Sequence, residues 1–135
     1  MKKAGWIMTG LLVAFMLAAS VAPKLMGAAA AVDSLTAIGW SADYLLCLGL
    51  LELLLVVLFA VPRTGPLGAV LFTALLGGTV ASHLRAGSPV FSHTLFGVYL
   101  GVFMWVALYL RDPLFRAFVR ESLLARKPGL GTGIL

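Results

Sequence analysis

Lys24, Glu52, His83 and His93 are the residues of this chain whose types could do chemistry, and each lies in or beside an apolar run. Glu52 is the sharpest of them, the lone carboxylate in Leu48–Val61, a stretch otherwise built of Leu, Val, Phe, Ala and one Gly. An ionised carboxylate near the centre of a bilayer costs at least about 2.5–3.5 kcal/mol on insertion scales, so it should face a partner or a cavity rather than lipid. A carboxylate with two imidazoles and an ammonium can relay protons or hydrogen-bond the carbonyl oxygens of a quinone. The plainer use of the same groups is a staple: Glu52 protonated, or paired with Lys24 or a histidine, to hold helices together, with His93 merely meeting the membrane interface. Two histidines and a glutamate are also a known ligand set for iron or zinc. Here they come from three different apolar runs, and no HxxH or ExxH spacing gathers them, so no metal site is expected.

The elements that must position these groups follow from composition. Of the 135 residues, 61% are apolar and 11% charged, with a mean hydropathy of +1.07. So few polar side chains could not cover a domain in water, and the length suits one domain. Four apolar stretches, 4–23, 44–61, 66–84 and 90–110, each approach the roughly 20 residues a helix needs to cross about 30 Å of hydrocarbon. The expected fold is an all-α, up-and-down antiparallel four-helix membrane bundle over residues 1–113, followed by a tail over 114–135. Pro62-Arg63-Thr64-Gly65-Pro66 and Arg85-Ala86-Gly87-Ser88-Pro89 read as tight turns, which sets helices two, three and four side by side.

Lys24 to Asp43 is the one long connection. It starts Ala-rich at Ala28–Val32 and then offers Asp33 or Ser34 as a cap for a short interfacial segment, Leu35–Trp40. In the tail, Phe115–Arg126 predicts an amphipathic helix on the membrane surface, with Phe115, Phe118, Val119 and Leu123 on one side. Leu130–Leu135 reads as a mobile end. Lys2-Lys3, a long apolar core and Ala18-Ala19-Ser20 resemble an export signal, but the length of the core favours a retained span.

Orientation comes from the basic residues. Lys2, Lys3, Arg63, Arg111, Arg116, Arg120, Arg126 and Lys127 fall on one side, and only Lys24 and Arg85 on the other. The positive-inside rule places both termini in the cytoplasm, most simply across a bacterial inner membrane. The net charge of +5 is thus a topology signal, and no nucleic-acid partner is expected. Trp6, Trp105 and Tyr109 at the inner boundary, and Trp40 and Tyr44 at the outer one, suit interfacial belts. On this frame Glu52 lies about eight residues into its helix, roughly 12 Å at 1.5 Å per residue. His83, His93 and Lys24 sit at the outer helix ends, so all four candidates share the outer half.

Other motifs exclude more than they assign. One cysteine, Cys47, rules out an internal disulfide and paired-thiol redox chemistry, and reads as a small apolar side chain. Gly97-x-x-x-Gly101, Thr73-x-x-x-Gly77 and Gly78-x-x-x-Ser82 put small residues on single helix faces, suited to close packing within the chain or, alternatively, in a homodimer. No nucleophile–base pair and no flavin or haem ligation pattern is evident, which ranks a stand-alone enzyme third.

Lys24-Leu25, then Gly49-x-x-Glu52, a Pro-ended turn, and Ala81-x-His83-x-Arg85 closing the third run together resemble the DoxX-like membrane proteins over about residues 5–113. The resemblance implies a four-helix integral membrane protein with both ends in the cytoplasm and a candidate site at Lys24, Glu52 and His83; His93 rests on its depth alone. The wider group includes a subunit of an archaeal thiosulfate:quinone oxidoreductase, bacterial proteins linked to thiol-oxidative stress, and animal receptor-assembly chaperones. Two functions are therefore expected: an accessory subunit of a quinone-linked or other redox complex, with a quinone as possible ligand, or a structural or assembly subunit. The expected partners are the bilayer and either other membrane subunits or further copies of the chain.

Overall fold

A computed structural model describes residues 1–124, and the expectations for Arg126, Lys127 and Leu130–Leu135 lie outside them. Among the described residues the chain is helical throughout. Four helices are long and apolar enough to cross a membrane: α1 (Lys2–Leu25), α3 (Ala42–Ala60), α4 (Gly65–Arg85) and α5 (Val90–Arg111). Among the described residues two shorter ones accompany them, α2 (Ala29–Ala37) between the first two spans and α6 (Pro113–Leu124) after the last.

The turns explain the order. Pro62 ends α3, and Thr64 Oγ1 donates back to the Leu58 carbonyl at 2.7 Å. Pro66 then opens α4 in its first turn, where the missing N–H costs nothing. Each span packs antiparallel on the next, and α1 closes the ring against α5. Two glycines bring backbones together: a Cβ on Gly5 would lie 2.8 Å from the Leu110 carbonyl carbon, and one on Gly68 2.7 Å from Phe59 Cα. Only hydrogen fits there. Without a hydrophobic force between helices in lipid, such close approach supplies the packing attraction.

The two ends of the bundle differ. Toward Arg111 it is solid, with Phe59, Ala69, Met104, Ala107 and Leu108 all at 1% exposure or less. Arg111 itself is buried there. Its guanidinium lies over the rings of Trp6 (4.9 Å) and Phe59 (4.4 Å), donates to Thr9 Oγ1 at 3.3 Å and to the Phe59 carbonyl, and so joins three spans. Toward Lys24 the bundle is hollow, because α1 leaves α5 and leans on α3. A π-helical turn over Leu17–Val21 occupies this part of α1, just before Pro23, whose ring removes the hydrogen bond to the Ala19 carbonyl. A second π turn, Val90–Thr94, opens α5 at the same end.

Several local expectations need correction. Neither Asp33 nor Ser34 caps α2: the helix starts after Ala28, whose ψ of 139° is already extended, because the alanine run is itself the best helix former. Ser34 lies inside, donating to the Ala30 carbonyl at 2.7 Å. Gly77 and Gly78 do not pack within the chain, since a Cβ on either would meet nothing within 4 Å; they face open space beside α4, a groove for Gly77 and a cavity for Gly78. Gly97 does pack, its Cβ position lying 3.1 Å from Val80 Cγ2, whereas Gly101 is an ordinary 3.7 Å from Leu76 Cδ1.

Candidate functional site

The site begins with a glycine. Gly49 faces the end of α1, and a Cβ there would meet Lys24 Cβ at 3.0 Å and Leu25 Cδ2 at 3.1 Å. The missing side chain lets α1 approach α3, and Glu52, one turn further along, then falls within reach of Lys24. Lys24 Nζ donates to Glu52 Oε1 at 2.9 Å and Oε2 at 3.0 Å. Ser20, four residues before Lys24 and so on the same face of α1, completes the knot: its hydroxyl accepts from Lys24 Nζ at 2.6 Å and donates to Glu52 Oε2 at 2.8 Å. All three ammonium hydrogens thus have acceptors, and the pair is largely shielded, with side-chain exposures of 19% and 13%.

The histidines face each other across α4 and α5, ring centroids 6.0 Å apart and planes at 58°. Each is anchored through Nδ1, His83 with Ser88 Oγ at 3.0 Å and His93 with Ser92 Oγ at 2.8 Å. A hydroxyl can donate to or accept from an imidazole, so each ring can present Nε2 as either donor or acceptor.

A cavity of about 650 Å³ holds both groups, with Lys24, Glu52, His83 and His93 all on its wall. The rest of the lining is mostly apolar, including Phe15, Met16, Phe72, Leu75, Phe96 and Leu100. Helix α2 forms the roof with Ala30, Ala31, Ser34 and Leu35. It is tied down beyond its C-terminus, where Trp40 Nε1 donates to Ser82 Oγ at 3.1 Å and Arg85 Nη2 to the Ile38 carbonyl at 3.2 Å. No group of three or more metal-ligating side chains occurs among the described residues. Gly78 lines this cavity, while Gly77, Gly97 and Gly101 border a separate apolar groove of about 340 Å³ between α4 and α5.

Residues 7–107, from the first turns of α1 to the last turn of α5, match the DoxX-like family. The chain belongs to that family. No curated protein and no solved structure matches it. This DoxX-like chain is accordingly an integral membrane protein, with four spans among the described residues, and its cavity residues all lie within the matched region.

Ser20 and Ser82, like Ser88 and Ser92 beside the histidines, are site residues that sequence reasoning passed over. For Ser20 a signal existed, the four-residue spacing to Lys24; for Ser82, paired with Trp40 across the bundle, none did.

Proposed function

We propose that this chain is an accessory subunit of a quinone-linked membrane complex, and that it holds the quinone headgroup between the Lys24–Glu52 pair and the two histidines. What carries the reading is that one cavity is lined both by Lys24, Glu52, His83 and His93 and by apolar side chains such as Phe15, Phe72, Leu75, Phe96 and Leu100, a combination suited to an amphiphile with a polar head. The Lys24–Glu52 pair is neutral overall, which suits an uncharged ring. The histidines add a reversible donor or acceptor at Nε2, able to donate to a quinone carbonyl and to accept from a quinol hydroxyl. Electrons would come from a partner subunit, and this chain would supply the pocket and proton-handling groups. With both termini in the cytoplasm of a bacterial inner membrane, as the distribution of Lys and Arg supports, the pocket lies in the outer half of the bundle beneath α2.

The test is native-like purification from the source membrane, with mass spectrometry of co-purifying polypeptides and extractable quinones. A stoichiometric complex carrying quinone, lost from Glu52→Gln and His83→Ala protein that still assembles, is the expected result. One observation favours a second reading, that of a structural or assembly subunit: Glu52 is already satisfied by Lys24 and Ser20. On that reading Glu52→Gln lowers the yield of folded protein and leaves no separate defect.

A further inference from the structure

Phe15 on α1 and Phe96 on α5 stand with ring centroids 6.1 Å apart, and both line the cavity. They mark the level at which the two helices separate. Below them, toward Arg111, α1 and α5 are pressed together at Gly5. Above them the π turn of α1 carries Ser20 and Lys24 toward α3, and the π turn of α5 carries His93 on the other bank. π turns inside spanning helices recur at functional sites because the extra residue redirects the helix. Here both border the cavity, one at Ala19 and Ser20 and the other at His93. The opposite side is shut: Leu35 of α2 is 7% exposed, and the Trp40–Ser82 and Arg85–Ile38 bonds hold the roof.

We propose that the cavity takes its occupant sideways from the bilayer, through the gap between α1 and α5 above the Phe15–Phe96 pair, and that the occupant is a tailed amphiphile dissolved in the membrane. This deepens the quinone reading and rests on the same cavity, but it concerns the route and the tail rather than the head. A solute arriving from water would have to lift α2. One arriving from lipid has only the two phenylalanine rings at the lower edge of the gap to pass, and its tail can lie along the apolar wall of Phe72, Leu75 and Leu100.

The test uses two photoactivatable probes in nanodiscs, each with a diazirine at the end of a dodecyl tail, one bearing a benzoquinone head and one a phosphocholine head. Adducts are mapped by mass spectrometry. Phe72 and Leu75, on the inner wall, are expected to be labelled by the benzoquinone probe. Phe15→Trp/Phe96→Trp narrows the gap and should cut that labelling about tenfold, the effect of roughly 1.4 kcal/mol, while labelling of the lipid-facing Leu54 is unchanged. Phe15→Ala/Phe96→Ala should raise it, which keeps the idea testable if the tryptophan variant folds poorly. Inner-wall adducts from both probes alike uphold the lateral route and overturn selectivity for a quinone head. Inner-wall labelling that ignores the Phe15 and Phe96 substitutions but rises when the roof is released by Trp40→Phe/Arg85→Gln overturns the lateral route, as do adducts confined to the outer faces with both probes.

Discussion

Lys24 Nζ stands 2.9 Å from Glu52 Oε1 and 3.0 Å from Oε2, although the two residues belong to different spans. The contact exists because Gly49 admits the backbone of α1 one turn away from Glu52. It converts two charges that lipid would reject into one hydrogen-bonded unit. Removing one partner of a shielded pair leaves the other uncompensated, at up to about 3–5 kcal/mol in a fully buried setting and less here, where some exposure remains.

Lys24→Met and Glu52→Gln should each lower the melting temperature in detergent, and the double variant should lose less than the sum of the two. A double-mutant cycle measures the coupling, and strict additivity would mean the pair contributes nothing.

Gly49→Val should break the same pair without touching either charge, because the new side chain meets Lys24 Cβ and Leu25. The expected loss is about 1–3 kcal/mol, typical of overpacking. Gly10→Ala, where nothing lies within 4 Å, is the control and should be neutral or slightly stabilising. Thermal unfolding of the two variants in the same detergent decides.

Arg111→Lys keeps the charge but loses the planar fork that meets Thr9 and Phe59 and lies over Trp6. We expect a loss of about 1–3 kcal/mol, the cost of leaving buried acceptors unmade. Trp6 fluorescence, read in a variant with Trp40 and Trp105 replaced by Phe, should shift as the guanidinium leaves the ring.

Trp40→Phe removes the bond to Ser82 and nothing else of the roof. Hydrogen exchange over Ala29–Ala37 should accelerate while exchange in α3 and α4 stays slow. Equal protection of α2 in both proteins would show that the latch does not hold the roof.

Much of this architecture was legible in the sequence. The expected spans agree with the helices to within two residues at every boundary, because a run of some 20 apolar residues has few alternatives in a bilayer. Rotation about the helix axes was not legible. Leu48–Val61 is apolar all round except at Glu52, so periodicity could not say which face meets α1. The same lack of periodicity drew attention to Gly77 and Gly78, which face open space, and away from Gly5 and Gly68, where backbones touch. Arg111 read as one more basic residue at a helix end; only the fold shows that three spans converge on it.

The contrast between a solid half and a hollow half separates what keeps this protein folded from what it can be used for. Contacts around Phe59, Met104 and Leu108 hold the spans together at one level of the membrane, and at the other level that duty falls to Met16, Phe72, Leu76 and the Lys24–Glu52 pair on the cavity wall. The half-exposed wall residues Phe15 and Phe96 can therefore change in size or polarity while the bundle keeps its form. The chain is built as a fixed base with an adaptable socket, so relatives sharing the same four spans could take different occupants without refashioning the fold.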